Sequence, residues 1–107
     1  MDTQIRKGLI EFCVLTVLHK KDSYGYQMIK DLSDYIEISE STLYPLLRRL
    51  EIAGYLTTYT EEYKNRLRKY FQITKKGKEY LYSFKKEKIQ IIEILNFIES
   101  EGEQDDR

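Results

Sequence analysis

One short helix, followed directly by a basic two-stranded ribbon, constrains the fold of this chain more than any other feature. The helix contains leucines at spacings of three and four, namely Leu43, Leu46, Leu47 and Leu50. This spacing predicts a buried face on an α-helix that runs from Glu40 to Ala53. Ser39 precedes the helix and belongs to the residue types that favour the N-cap position.

The other face of this helix carries hydrogen-bonding and cationic side chains, unlike the Glu and Lys repeats of an ordinary surface helix. The side chains are Glu40, Ser41, Thr42, Tyr44, Arg48 and Arg49. Pro45 removes one backbone donor and crowds the carbonyl of Ser41, so we expect a local distortion that presents the first turn outward. An ordinary amphipathic helix that tolerates a proline is the alternative on these residues alone.

Two runs of β-forming residues, 56–60 and 69–73, follow a helix stop at Ala53 and Gly54. A polar, charged turn separates them, and the pattern predicts a β-hairpin. Its tip and second arm hold Lys64, Asn65, Arg66, Arg68 and Lys69. These side chains suit contact with phosphates, or insertion of an arginine into a minor groove. Protection of a strand edge against aggregation is the alternative for some of them.

The net charge of zero does not exclude a nucleic-acid surface, because the charges are unevenly distributed. The chain has 18 basic and 18 acidic side chains. Residues 40–78 hold nine Lys or Arg against four Glu, whereas residues 99–107 hold five acids and one Arg. Phosphate attraction depends on the local field, so the region 40–78 remains a candidate DNA surface.

Two further helices are predicted before this region. The apolar run 9–18 is too dense for one narrow stripe, so we expect a scaffold helix that is covered on more than one side. Asp22 and Ser23 are candidate N-caps for a second helix, Tyr24 to Tyr35. Its buried side is expected to hold Tyr26, Ile29 and Leu32 or near neighbours, and Gly25 suggests a close approach to another backbone.

Three segments together resemble the PadR family of bacterial transcriptional regulators in order and spacing. They are Asp22–Tyr26 (DSYGY), Ile38–Glu51 (ISESTLYPLLRRLE) and Arg66–Tyr70 (RLRKY). The resemblance covers roughly residues 5–85 and implies a mostly α fold with a small β-hairpin (α+β). In the wing turn the family is rich in Gly, with Pro between two arginines. This chain has residues 61–65 (EEYKN) there, and Leu67 in the proline position.

The resemblance also implies a function and a domain organisation. A winged helix-turn-helix would span residues 1–73, with the helix 40–53 in the major groove and the wing over the adjacent backbone. The protein would be a homodimer, usually a repressor, on a palindromic operator in double-stranded DNA. The residues expected to contact DNA are Tyr24, Ser39, Ser41, Thr42, Tyr44, Pro45, Arg48, Arg49, Lys64, Asn65, Arg66, Arg68 and Lys69.

A last helix is predicted from Lys75 to Ser100 with Thr74 as its N-cap, and residues 74–100 are assigned to dimerisation. Its second half is apolar on too many sides for one contact with the chain's own core, so a partner chain is the simplest cover. The expected interface is Leu9, Phe12, Cys13, Phe84, Ile91, Ile92, Ile94, Leu95 and Ile98. The acidic residues 101–107 are expected to be a disordered tail.

The sequence contains few residues of the types and spacings that catalytic sites use. Cys13 and the single histidine, His19, would lie about 120° apart on one helix, and neither a Gly-rich phosphate loop nor paired metal-ligand spacing is present. We therefore expect no enzyme activity, no cofactor and no metal site. The run 9–18 is too short to span a bilayer, and one cysteine fits a cytoplasmic location without a membrane partner.

Two questions stay open at this point. An apolar cavity between paired helices could bind a small hydrophobic effector, whose existence and identity the residues do not reveal. The operator, the target genes and the choice between activation and repression are equally open. A winged-helix interaction module without DNA binding is the main alternative function, although the polar set around Ser41 and Arg66 argues against it.

Overall fold

The computed structural model describes residues 3–105, with side chains from residue 5 to residue 100. Five helices and one antiparallel hairpin follow one another in the order α1 (Thr3–Lys20), α2 (Gly25–Leu32), α3 (Glu40–Ile52), β1 (Leu56–Tyr63), β2 (Arg66–Ile73), α4 (Lys75–Lys86) and α5 (Lys88–Asp105). The predicted α+β class, mostly helical with a small hairpin, is confirmed. In the described residues, no helix is long and apolar enough to cross a membrane.

The hydrophobic core lies where α1, α2, α3 and α4 meet the base of the hairpin. All four leucines predicted to face inward from α3 are buried, as are Ile10, Val14, Leu15 and Leu18 of α1. The rest of the core consists of Met28 and Leu32 from α2, Ile38 before α3, Leu56 from β1, Phe71 and Ile73 from β2, and Leu81 from α4. Because the four leucines of α3 are buried here, its polar residues lie mainly on the opposite face.

Helix α2 differs from its predicted form in length, capping and buried side. It begins at Gly25 and ends at Leu32, and the N-cap position is Tyr24, which makes no side-chain capping bond. The prediction that Tyr26 is buried was wrong, since 62% of its surface is exposed and Met28 is buried in its place. Tyrosine carries a polar hydroxyl and tolerates water, so it is a weak marker of a buried face.

The hairpin is longer than predicted, because its strands continue through the charged residues. Leu56 pairs with Ile73 at the base and Tyr63 pairs with Arg66 at the tip. Only Lys64 and Asn65 form the turn, and both have positive φ, 50° and 65°. Two central residues in this conformation are typical of a type I′ hairpin turn, which matches the twist of the strands.

A third chain segment extends the hairpin sheet on the β2 side. Ser23 and Phe71 form a bridge in which each backbone N–H donates to the other's carbonyl, at 3.2 Å and 2.7 Å. The loop before α2 is therefore attached to the wing by main-chain bonds. Ser23, predicted as an N-cap, contributes to the sheet instead.

The C-terminal region consists of two helices where the sequence predicted one. Thr74 caps α4 as expected, because its Oγ1 accepts from the N–H of Gly77 at 3.0 Å. The helix breaks at Glu87, and α5 then continues to Asp105, five residues past the predicted end at Ser100. Asp106 and Arg107, where the predicted disordered tail ends, lie outside the described residues.

Candidate nucleic-acid interface

Three hydroxyl groups cluster at the start of α3. The Ser39 Oγ lies 2.9 Å from the Ser41 Oγ and donates to the Thr42 Oγ1 at 3.2 Å. Ser39 occupies the N-cap position with extended backbone angles, as predicted, but its side chain does not cap the helix. Its hydroxyl is used within the cluster, so the first turn of α3 presents a compact set of donors and acceptors to solvent.

Tyr44 lies across the gap between α2 and α3. A β-carbon built on Gly25 would be 2.4 Å from the Tyr44 Oη and 2.7 Å from its Cζ. The close approach predicted at Gly25 therefore exists, but it is to a side chain and not to a backbone. The ring remains 45% exposed, so Tyr44 both separates the two helices and faces outward from α3.

The two adjacent arginines of α3 have different surroundings. Arg48 is exposed on the polar face, whereas Arg49 turns towards α1 and forms an ion pair with Glu11. Helix α3 runs unbroken through Pro45, which is exposed on the same outer surface. Both arginines were predicted to contact DNA, and Glu11 holds the guanidinium of Arg49 on the α1 side.

A groove of about 700 Å³ separates the start of α2 and α3 from the wing, residues 56–73. Tyr24, Tyr26 and Tyr44 line its helical side. On the wing side it is lined by the cations Lys64, Arg66, Arg68 and Lys69 and by Leu67. The structure therefore places Tyr44 of α3 and the wing cations on the two sides of one concave surface.

The base of the wing is tied to the loop before α2 through Asp22. Its Oδ2 accepts from the Tyr59 Oη at 2.7 Å and from the Gln72 Nε2 at 3.3 Å. The hydrogen bond to Asp22 is the main cause that raises the pKa of Tyr59 to about 12. Asp22 was predicted as a helix cap, and no local pattern marks its contact with two residues of the hairpin.

Arg68 lies between two tyrosine rings on the face of the wing that points to α2. Its guanidinium carbon is 3.9 Å from the ring centroid of Tyr24 and 3.9 Å from that of Tyr63. The pKa of Arg68 is raised above its usual value, chiefly by the side chain of Tyr70. Of the residues predicted at the DNA interface, Tyr24 and Arg68 thus contact each other.

The residues predicted for a dimer interface lie in two places. Leu9, Phe12, Cys13 and Phe84 line one groove of about 650 Å³ between α1, the end of α2 and α4. Phe12 and Phe84 are stacked there with centroids 4.0 Å apart, and burial raises the pKa of the Cys13 thiol. The remaining predicted residues, from Ile91 to Ile98, lie on α5, where most of them are exposed.

A metal ion needs a set of ligand side chains that lie close together. In the part of the chain that the structure describes, no group of three His, Cys, Asp or Glu side chains could hold a metal ion.

Comparison with known proteins gives consistent matches. The family model described as "Transcriptional regulator PadR-like family" matches residues 14–83. An uncharacterized protein from Lysinibacillus sphaericus is 31% identical over 99 residues, which is 88% of this chain and 91% of that protein.

Solved structures are similar over most of their length. A PadR-like transcription factor from Bacteroides fragilis has a TM-score of 0.79 and 34% identity, covering 90% of this chain and 95% of that one. A PadR family regulator from Clostridium difficile has a TM-score of 0.75 and 31% identity, covering 81% and 94%. A Streptococcus mutans protein reaches 42% identity at a TM-score of 0.73, covering 85% and 87%.

Proposed function

The chain belongs to the PadR-like family of transcriptional regulators, and from this membership we propose that it is a homodimeric repressor that binds a palindromic DNA operator. Such a regulator acts in the bacterial cytoplasm. The single observation that carries the proposal is the shared concave surface, because Tyr44 of α3 and the wing cations line one groove. A helix that reads the major groove and a wing that contacts the adjacent backbone need this arrangement.

Roles can be proposed from exposure and orientation. Ser41, Thr42 and Tyr44 lie on the outer part of α3, where their hydroxyl groups would bond base edges or phosphates. Arg48 would contact a phosphate or a guanine from the same face. Ser39 and Pro45 border this surface at the helix start. Arg49 is not proposed as a DNA contact, because Glu11 already holds its guanidinium on the α1 side.

The wing would supply contacts that do not depend on base sequence. Lys64, Arg66 and Lys69 are exposed at or near the hairpin tip, with Asn65 in the turn between the first two. Flexible cations on a protruding ribbon suit the phosphate backbone, and each neutralised phosphate adds about 0.9 to the salt dependence of binding.

The homodimer is supported by the surface of α5. Ile91, Ile94, Leu95 and Ile98 recur at spacings of three and four and therefore share one side of the helix. Ile94, Leu95 and Ile98 are each at least half exposed in the single chain. A second copy would cover this side, together with Leu9 and Phe12 from α1. Two-fold symmetry would then place two α3 helices in major grooves about one helical turn, or a multiple, apart.

A small hydrophobic effector that releases the DNA is part of the proposal. Its support is the groove between α1 and α4, whose walls include Leu9, Val17 and Phe84 and whose size of about 650 Å³ suits a small molecule.

The test is binding to a labelled duplex from the region upstream of the protein's own gene. Anisotropy is measured at several salt concentrations with unrelated DNA as competitor. Competitor-resistant binding with two chains per duplex is the expected result. If binding shows neither a preference over unrelated DNA nor a dependence on salt, the DNA-binding proposal is wrong and an interaction module is favoured.

Arg48→Ala and Arg49→Ala provide a matched pair of adjacent variants for this test. Arg48→Ala should lower the affinity, by about tenfold for the loss of one good side-chain contact. Arg49→Ala removes the ion pair with Glu11 and should leave the affinity within about twofold, because Glu11 already holds the Arg49 guanidinium on the α1 side. Equal losses in the two variants would contradict the orientation proposed for α3.

A further inference from the structure

Arg68 has surroundings that differ from those of the other wing cations. Its guanidinium carbon lies 3.9 Å from the centroids of two rings, Tyr24 before α2 and Tyr63 at the end of β1. We call these three residues the Arg68 sandwich. Arg68 is half-buried, whereas Lys64, Arg66 and Lys69 are exposed. A guanidinium carbon this close to two ring centroids is shared between the two rings, which leaves less of the cation free for other partners.

The sandwich is connected to the base of the wing by further aromatic contacts. Tyr24 packs edge-on against Tyr70 with centroids 5.7 Å apart, and Tyr70 stacks on Tyr59 at 5.4 Å. Tyr59 in turn donates its hydrogen bond to Asp22. The face of the wing towards α2 is therefore held at two levels, by Asp22 near the base and by Arg68 near the tip.

This second attachment matters because the main-chain attachment is near the base. Ser23 pairs with Phe71, only two positions before the end of β2 at Ile73. A two-stranded ribbon is marginally stable by itself and can bend or twist beyond its last attachment. Among the described residues, the Arg68 sandwich links the tip residue Tyr63 to the segment that starts α2.

We propose that Arg68 is a positioning residue that fixes the wing tip relative to α2 and does not itself contact DNA. It holds Lys64, Arg66 and Lys69 in a fixed relation to α3, so that less ordering is needed when DNA binds. The inference rests on the proposed DNA-binding function. It replaces the sequence prediction that Arg68, like its neighbours, is a direct contact.

The first test measures wing order without DNA. Amide hydrogen exchange of residues 60–69 is compared in the wild type, Arg68→Lys and Arg66→Lys. Lysine keeps the charge but lacks the plane that stacks on both rings. Arg68→Lys should exchange about tenfold faster in this segment, whereas Arg66→Lys should match the wild type. Tyr63→Leu should reproduce the effect of Arg68→Lys. Unchanged exchange in Arg68→Lys and Tyr63→Leu would overturn the proposal.

The second test uses a labelled duplex of random sequence and follows affinity against salt. Arg68→Ala should lower the affinity about tenfold with the salt slope unchanged, and Arg68→Lys should not restore the affinity. Arg66→Ala should lower the slope by about one, as expected for a lost phosphate contact. A drop of about one in the slope of Arg68→Ala, with recovery in Arg68→Lys, would make Arg68 a phosphate contact and overturn the inference.

The two tests separate this inference from the proposed function. If the wild type shows no salt-dependent binding to any duplex, the DNA-binding proposal fails, and with it the role of the wing in DNA binding. The exchange measurement still decides whether Arg68 fixes the wing tip, because it needs no DNA.

Discussion

Gly25 and Tyr44 are packed so closely that a side chain larger than hydrogen at position 25 cannot coexist with the observed tyrosine ring. A β-carbon at Gly25 would lie 2.4 Å from the Tyr44 Oη, 2.7 Å from Cζ and 3.0 Å from Cε1. The absence of a side chain at Gly25 in α2 therefore leaves the space that the Tyr44 side chain of α3 occupies. Under the proposed DNA-binding function, this contact would limit how closely the two helices approach at this point.

Gly25→Ala should therefore displace Tyr44, with a cost of about 1 kcal/mol in the free energy of unfolding, because the ring must leave its present rotamer. In a Tyr44→Ala background the obstacle is absent, and alanine is a better helix former than glycine, so the same change should cost little or stabilise. Urea denaturation of the four proteins in this double-mutant cycle measures the coupling. Equal effects of Gly25→Ala in both backgrounds would show that the two residues are not coupled.

Substitution by alanine should change the stability of the protein in opposite directions at Gly77 and at Gly8. A β-carbon at Gly77 would lie 2.3 Å from the backbone oxygen of Tyr55 and 2.8 Å from the Ile73 Cγ1, whereas one at Gly8 would meet nothing within 4 Å. Gly77→Ala should destabilise by about 1 to 3 kcal/mol, because a backbone atom must move. Gly8→Ala should stabilise by up to about 1 kcal/mol, because Gly8 is inside α1.

Thermal unfolding of these two variants beside the wild type is the measurement. If both substitutions changed the melting temperature in the same direction, the close packing of α4 on Tyr55 would be contradicted.

The turn of the wing should be more stable with glycine than with alanine at position 64. Lys64 has a φ of 50°, a conformation that costs a residue with a β-carbon roughly 1 kcal/mol or more. Lys64→Gly and Lys64→Ala both remove the same charge, so their difference isolates the backbone. We expect Lys64→Gly to unfold at a higher temperature than Lys64→Ala. The reverse order would be incompatible with a type I′ turn.

Alkaline pH should weaken the contact between Tyr59 and Asp22. The folded protein raises the pKa of Tyr59 from its usual 10 to about 12, since the hydrogen bond to Asp22 requires the protonated hydroxyl. The stabilisation is therefore fully present below pH 10 and is lost as the pH rises through 12. Absorbance at 295 nm should show a late tyrosine transition that is missing in Tyr59→Phe.

Asp22→Ala is the matched control for this titration, because it removes the acceptor and keeps the tyrosine. Its late transition should move back towards pH 10. Far-UV circular dichroism of each sample establishes the pH range in which the protein is folded. A transition that stays near pH 12 in Asp22→Ala would assign the raised pKa to another cause.

Charges on one side of α5 should separate the proposed dimer. Ile91 and Ile98 are seven positions apart and so lie within about 20° of each other around the helix, whereas Ile89 points about 160° away from Ile91. Replacing Ile91 and Ile98 with lysine should give monomers of 12.9 kDa in sedimentation velocity. Ile89→Lys, at a residue 73% exposed on the same helix, should leave the dimer intact. An intact dimer in the double variant would move the interface elsewhere.

Sequence patterns predicted this fold well where one element carries a regular period. The leucines of α3 recur at spacings of three and four, and all of them are buried. Thr74 is of a residue type that favours the N-cap position, and it caps α4. Gly54, predicted as part of a helix stop, follows α3 with a φ of 87°. Each of these patterns depends on residues close together in the chain, and the structure agrees with each of them.

Other features could not be predicted because their causes lie far away in the chain. The strands run through Glu61, Glu62 and Arg66, residues of low or moderate β propensity, because cross-strand pairing and the turn at Lys64 extend the ladder. The break at Glu87 is not marked by glycine or proline. For the candidate site, the polar character of α3 and the wing indicated that most of these residues are exposed, as they are. The contact of Tyr24 with Arg68 has no sequence period to reveal it.

The bridge between Ser23 and Phe71 has a consequence for any attempt to transplant the helices of this protein into another scaffold. Asp22 and Gln72, which flank the bridge, are 50 positions apart, so the start of α2 is completed only by a strand from the far end of the motif. A graft of α2 and α3 alone would leave Ser23 and Asp22 without the partners that orient them. The transferable unit is the whole stretch from α1 through β2, in which helices and wing form one piece.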